Sequence, residues 1–166
     1  VNFYARKEIK DLLAYLKTID NARDDLAVRR IINVPKRGIG ATTLNRVADY
    51  AAAADISFYN ALKMADDIPT LGKSAAKIKP FVNFIQVMRS KVEIISVSEL
   101  LQEIIDETGY VKELEAEDTE EAKARIENID ELISKVVAYE EGEEHPTLSG
   151  FLEEVALVAD IDSLDE

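Results

Sequence analysis

The chain has 166 residues, of which 47% are hydrophobic, and this combination predicts one globular domain with a substantial core. The absence of cysteine excludes disulfide bonds and thiolate metal sites and favours a reducing compartment. The net charge of −13 argues against nucleic-acid binding by the chain as a whole, and the lack of a long apolar run or an apolar leader predicts a soluble, cytoplasmic protein with no membrane contact.

Apolar residues recur at helical spacing along most of the chain, which predicts an all-α fold. In the first half, the pattern indicates two helices joined by the polar break DNARDD, a third after a glycine pair, a short fourth and a long fifth. Their approximate ranges are 9–19, 26–32, 41–54, 57–65 and 73–95. Pro80 is expected in the first turns of the fifth helix or at a kink, because proline removes an interior backbone donor. The one candidate strand is VNFY at the start.

The second half shows clearer helix boundaries. Ser96 and Glu99 have the spacing of a capping box, and Gly109 is placed to end the helix that they begin. A short helix at 110–117, a long one near 118–141, the loop EGEEHPT and a last helix at 148–160 follow. The predicted buried stripe of the long helix is Ala122, Ile126, Ile129, Leu132, Ile133, Val136 and Val137. The residues predicted to be buried in the last helix are Phe151, Leu152, Val155, Leu157 and Val158.

Charge is distributed unevenly along the chain. Residues 1–91 carry 16 Lys and Arg against 9 Asp and Glu, a net charge of +7, whereas residues 92–166 carry 4 against 24, a net charge of −20. We therefore expect one helical domain over residues 1–166, with a basic part at 1–91 and an acidic part at 92–166. The basic part can face a polyanion while the acidic part is solvated or faces a basic partner.

The sequence lacks the residue patterns of an enzyme. It has no phosphate-binding G-x-x-x-x-G-K-[ST] loop, no G-x-S-x-G motif and no cysteine nucleophile. The single histidine, His145, lies in a polar loop before Pro146 and is interpreted as a surface residue. Acidic neighbours such as Glu120 and Glu121 diverge on a helix, so we interpret them as solvated and predict no metal site and no cofactor.

The segment VPKRGIGATTLNRV at residues 34–47 has the pattern of a helix-hairpin-helix DNA-binding element. Gly38 and Gly40 are expected to adopt backbone conformations closed to other residues and to let the chain approach a ligand closely, with Ile39 as an anchor in the core. The free amides and the dipole at the start of the next helix would bind a phosphate. The flanking candidates are Lys36, Arg37, Thr42, Thr43 and Arg46. The alternative is that Gly38 only permits a turn.

A second, weaker form of the same pattern lies at IPTLGKSAAKI. Gly72 and Lys73 begin a helix there that also carries Lys77 and Lys79. In isolation the pattern is that of a helix cap. Beside the first turn, it would hold another phosphate of the same duplex.

Four segments of the chain resemble, in order, the 2B subdomain of UvrD/PcrA-like superfamily 1A bacterial DNA helicases. They are FYARKEIKDLLAYLK, RRIINVPKRGIGATTLNRV, ARIENIDEL and FLEEVALVADID. In that family, 2B is a mostly helical insertion in the second motor domain, and its GIG turn contacts duplex DNA ahead of the single-strand junction. The residues implicated by the resemblance are Gly38, Ile39 and Gly40, with Lys36, Arg37, Thr42 and Thr43 beside them and Gly72 and Lys73 further away.

The resemblance also implies a larger parent protein. The parent would be a cytoplasmic bacterial helicase that uses ATP and Mg²⁺ to move 3′ to 5′ in DNA repair or replication, and 2B would rotate against the motor domains and regulate unwinding. The ATP-binding motifs of the family lie outside these residues, so we expect no ATP hydrolysis by this chain. Its start at Val1 without methionine and its end at SLDE predict a fragment.

A different class of function is also compatible with the residues. The acidic part, with a net charge of −20, would recruit a basic protein partner, and the glycine turn would then be purely structural. Salt dependence separates the two hypotheses, because binding through several phosphates weakens by orders of magnitude between low and moderate salt.

Overall fold

A computed structural model describes residues 2–165 and shows an all-α architecture, which confirms the predicted fold class. The α-helices are α1 (Lys7–Asp20), α2 (Asp25–Ile31), α3 (Ala41–Ala54), α4 (Phe58–Lys63), α5 (Ala75–Ser90), α6 (Val97–Thr108), α7 (Tyr110–Glu117), α8 (Glu120–Gly142) and α9 (Leu148–Asp165). Short 3₁₀ helices lie at Phe3–Ala5, Ala65–Asp67 and Gly72–Ser74.

Helix α1 lies at the centre of the fold. It contacts α2 and α5 of the basic part and α6, α8 and α9 of the acidic part. Its side chains are buried on nearly every face, including those of Ile9, Leu12 and Tyr15, because helices pack around it and even Glu8, Asp11 and Thr18 are buried. The basic and acidic parts of the sequence therefore pack against one shared helix.

Two acidic side chains of α1, Glu8 and Asp11, are almost completely buried. Asp11, 2% exposed, pairs with Arg30 of α2 at 2.9 Å and with Lys7 at 3.2 Å, and it accepts a hydrogen bond from the Tyr110 hydroxyl at 2.7 Å. Burial raises the pKa of Tyr110, and its hydrogen bond to Asp11 acts in the same direction. These contacts join α1 to α2 and α7 by hydrogen-bonded charges, which the helical periodicity did not indicate.

The predicted capping signals are confirmed. Ser96 accepts from the Glu99 amide and Glu99 reaches back to the Ser96 amide, so the capping box is complete at the start of α6. Gly109 ends α6 with a φ of 67° in the left-handed region. Pro80 lies in the second turn of α5 on an exposed position, as expected for a residue without an amide donor.

Some predictions about helix ends and burial are wrong. The fifth helix ends at Ser90 instead of Ile95, and the described part of VNFY forms a 3₁₀ turn instead of a strand because the Asn2 side chain caps the Ala5 amide. Val1 lies outside the described residues. Three residues predicted to be buried are exposed: Leu157 is 65%, Val158 39% and Val137 37% exposed. Helical periodicity marks these positions as apolar, but burial also requires a packed neighbour on the same side of the helix.

Candidate nucleic-acid interface

The segment between α2 and α3 forms a tight turn that is fastened to the core at Ile39. The Ile39 side chain is 4% exposed, so its predicted role as an anchor is confirmed. Its amide donates to Asn33 Oδ1 at 3.1 Å, and its carbonyl accepts from Asn33 Nδ2 at 2.8 Å. The side chain of Asn33 therefore takes the place of a backbone partner and fixes the residue between the two glycines.

The two glycines of the turn differ in their backbone conformation. Gly38 has a φ of +72°, which disfavours any residue with a β-carbon. Gly40 has a φ of −76° and a ψ of 165°, an ordinary extended conformation, and no atom lies within 4 Å of a β-carbon built on it. The expectation that both positions require glycine for their backbone conformation is therefore wrong for Gly40. Gly40 is exposed, and within residues 2–165 no side chain covers the backbone at the start of α3 there.

The first turn of α3 presents unpaired backbone donors to solvent. The first helical hydrogen bond joins the Leu44 amide to the Gly40 carbonyl, so the amides of residues 41–43 have no acceptor within the helix, and none of the described side chains caps them. Ala41 and Thr42 are exposed, whereas Thr43 is buried. The helix dipole adds partial positive charge at the same place, and together these features favour an anion.

Lys36 and Arg37 do not form the paired basic patch that the sequence suggested. The side chain of Lys36 is exposed. The guanidinium group of Arg37 turns inward, where it donates to the carbonyls of Ile31 and Ile32 and to the Tyr15 hydroxyl at 2.7 to 3.0 Å. Its carbon lies 4.8 Å from the centre of the Phe81 ring.

The second glycine segment lies beside the first. Lys77 of α5 donates to the Gly38 carbonyl at 3.3 Å, and Arg46 of α3 donates to the Thr70 carbonyl at 2.7 Å. Gly72 has a φ of +55°, and Lys73 next to it is exposed. Lys79 instead forms an ion pair with Asp66 at 2.8 Å.

These contacts define an exposed, basic surface, which we call the turn surface. It consists of Lys36, Gly38, Gly40, Thr42, Arg46, Gly72, Lys73 and Lys77. On the side of Lys36 it meets a small cleft of about 230 Å³ that is also lined by Glu113 and Glu117 of α7 and by Lys7 and Arg125, which form ion pairs with Asp11 and Glu121. The Lys36 side of the turn therefore carries charges of both signs, whereas the charged side chains of the rest of the turn surface are basic.

Three contributors to this geometry were not predicted from the sequence, namely Asn33, Tyr15 and Phe81. Tyr15 and Phe81 follow the apolar stripes of α1 and α5, so nothing in the pattern distinguishes them from ordinary core residues. Asn33 carries a weak signal, since asparagine is common in turns where its side chain bonds the backbone.

Other chemistry is not supported by the described residues. Within residues 2–165, no group of three or more His, Cys, Asp and Glu side chains could hold a metal ion. The described helices also include none with the length and apolar character required to span a bilayer. His145 is exposed in its loop, near Glu144.

Comparison with known proteins identifies the family. The model of the UvrD-like helicase C-terminal domain matches residues 1–165, and the chain belongs to this family. The chain is 45% identical over 164 residues to the ATP-dependent DNA helicase PcrA of Bacillus subtilis (strain 168), covering 99% of this chain and 22% of that protein. It is 43% identical over 165 residues to PcrA of Staphylococcus aureus (strain Mu50), covering 98% of this chain and 23% of that protein. The chain thus spans less than a quarter of these relatives.

Proposed function

We propose that this chain is the 2B subdomain of a bacterial ATP-dependent DNA helicase and that its turn surface binds duplex DNA through phosphates. The observation that carries the proposal is the exposed, uncapped start of α3, with Lys36 on one side and Lys77 bonded to the Gly38 carbonyl on the other. Membership of the UvrD-like family and the similarity to PcrA support it.

The mechanism is positioning of the duplex without recognition of bases. A phosphate oxygen accepts from the free amides at residues 41–43, the Thr42 hydroxyl adds a donor, and the lysines add positive charge. Gly72 and Lys73 lie on the same surface and would hold a second phosphate. Such contacts fix where the duplex lies and carry no sequence information.

The parent protein would supply the chemistry of unwinding. ATP and Mg²⁺ would bind in its motor domains, outside this chain, and power 3′ to 5′ movement in repair or replication in the bacterial cytoplasm. The subdomain would hold the duplex ahead of the single-strand junction, and its orientation against the motor domains would regulate unwinding. The helix-hairpin-helix interpretation of residues 34–47 belongs to the same proposal.

The test measures binding of a fluorescent junction duplex at several salt concentrations. We compare the wild-type chain with a Lys36→Ala, Lys73→Ala variant and with a control, Lys112→Ala, Lys123→Ala, that removes the same charge from the acidic part. We expect the first variant to bind more weakly and to lower the slope of log affinity against log salt by about 1 to 2, since each lost phosphate contact lowers it by ~0.9. The control should bind nearly as the wild type does.

The same experiment separates the competing function. Equal binding by both variants, or no binding by the wild-type chain at any salt concentration, would contradict phosphate contact at the turn surface. The acidic helices would then become the candidate surface for a basic protein partner, and the glycine turn would be structural.

A further inference from the structure

The guanidinium group of Arg37 makes three hydrogen bonds and one aromatic contact within the protein. One terminal nitrogen donates to the carbonyls of Ile31 and Ile32 at 2.8 and 3.0 Å, and the other donates to the Tyr15 hydroxyl at 2.7 Å. The guanidinium plane also lies 4.8 Å from the centre of the buried Phe81 ring. These contacts direct both terminal nitrogens away from the turn surface.

The acceptors are carbonyls at the end of α2 that have no amide partner within the helix; the Ile31 carbonyl also accepts from the Val34 amide of the turn at 2.9 Å. Ile31 is the last residue of α2 and Ile32 is its C-terminal cap, so their carbonyls lie at the negative end of the helix dipole. A planar, permanently charged guanidinium with several donors suits this position, whereas a lysine offers a single point of charge. Arg37 therefore fastens the first part of the turn, before Gly38, to the end of α2.

Tyr15 extends this connection to the core. Its side chain is fully buried in α1, and its hydroxyl donates to the Val34 carbonyl while it accepts from Arg37. The Tyr15 ring packs edge-on against Phe84 of α5, with centres 6.0 Å apart. The hydroxyl thus holds the turn on the side that precedes Gly38, and Asn33 holds Ile39 on the side that follows it.

We propose that Arg37 is a positioning residue for duplex binding, which acts through the backbone of residues 34–39 on the free amides of α3 and makes no phosphate contact itself. Tyr15 is its partner in this role. The inference rests on the proposed function, and it assigns to one member of the Lys36–Arg37 pair a role different from that of its neighbour.

The test uses two substitutions that leave the net charge unchanged. Arg37→Lys keeps the positive charge but loses the forked donors, and Tyr15→Phe removes a hydroxyl that lies too deep to touch DNA. We expect both folded variants to bind the junction duplex on the order of tenfold more weakly, the change that corresponds to ~1.4 kcal/mol. Amide hydrogen exchange at Ile39 should become faster in both variants, whereas a role in global stability alone would leave the affinity of the folded chain unchanged.

A matched control is Arg29→Lys, because Arg29 also lies over a phenylalanine ring, that of Phe58, away from the turn. This control should bind as the wild type does. The inference is overturned if Arg37→Lys binds the duplex as tightly as the wild type does. It is also overturned if Arg37→Lys binds more weakly but Tyr15→Phe does not, because that result indicates direct contact between the guanidinium and DNA. If Arg37→Lys does not fold, Tyr15→Phe decides. If the wild-type chain itself binds no duplex, the proposed function fails first.

Discussion

Lys36 and Arg37 are neighbours in the sequence, yet one side chain faces solvent and the other is held by α2 and α1. An irregular turn has no repeating period, so the sequence pattern cannot assign a direction to each of its side chains. The sequence correctly predicts where the turn lies and that Ile39 anchors it. It does not reveal that an arginine shortly after a helix has that helix's own carbonyls as its acceptors.

The two glycines of the turn provide a prediction at this scale. Gly38→Ala should lower the free energy of unfolding by about 1 to 2 kcal/mol, because alanine is strained at a φ of +72°. Gly40→Ala should lower it by only about 0.5 kcal/mol, because its φ of −76° is ordinary and there is room for a β-carbon, and the remaining cost is that of alanine at the N-cap of α3. Urea denaturation measures both values. Equal losses in the two variants would show that the conformational difference has no energetic effect.

At the scale of the helices, sequence patterns predict existence and type better than extent and burial. The capping box at Ser96 and the left-handed Gly109 fixed both ends of α6 correctly because each signal is a local hydrogen-bonding requirement. No such signal marks the end of α5, where the apolar residues continue to Ile95. In α9 the periodicity detects a helix, but burial of Leu157 depends on whether a neighbour lies beside it, and that neighbour is absent from residues 2–165.

The buried charge of α1 provides a prediction about how helices are joined. Asp11→Asn should lower the free energy of unfolding by about 2 kcal/mol, because it weakens the hydrogen bonds that Arg30, 37% exposed, and Tyr110 make to a carboxylate that is itself only 2% exposed. Asp66→Asn is the matched control, since its pair with Lys79 is exposed on both sides and should contribute less than about 0.5 kcal/mol. Chemical denaturation at neutral pH compares the two, and a loss in Asp11→Asn no larger than the control would contradict the role assigned to the network.

At the scale of the whole molecule, the fold brings together residues that the sequence keeps apart. Lys77 meets Gly38 across 39 positions, which places the second glycine segment beside the first. The sequence suggested that both segments could serve one duplex, but only tertiary packing of α5 against α1 makes them neighbours. Separately, the hydrogen bond from Tyr110 to Asp11 joins α7 to α1, and α7 lies next to Lys36, an arrangement that no local pattern indicates.

The carboxylates of α7 limit where a duplex can lie. Glu113 and Glu117 line the cleft beside Lys36, and the two other basic side chains of that cleft, Lys7 and Arg125, are paired with Asp11 and Glu121. A phosphate backbone that crossed α7 would therefore meet like charge, and we expect the duplex to run from Lys36 over the start of α3 toward Lys73.

Glu113→Gln, Glu117→Gln should therefore raise duplex affinity several-fold at low salt, and the gain should shrink as salt rises because the Debye length falls to about 8 Å at physiological ionic strength. A control with the same charge change, Glu141→Gln, Glu144→Gln, lies at the far end of α8 and its following loop. Fluorescence titration of the junction duplex measures all three chains. An equal gain in both variants would mean that only net charge matters, whereas a gain confined to α7 would place the duplex along the basic side of the turn.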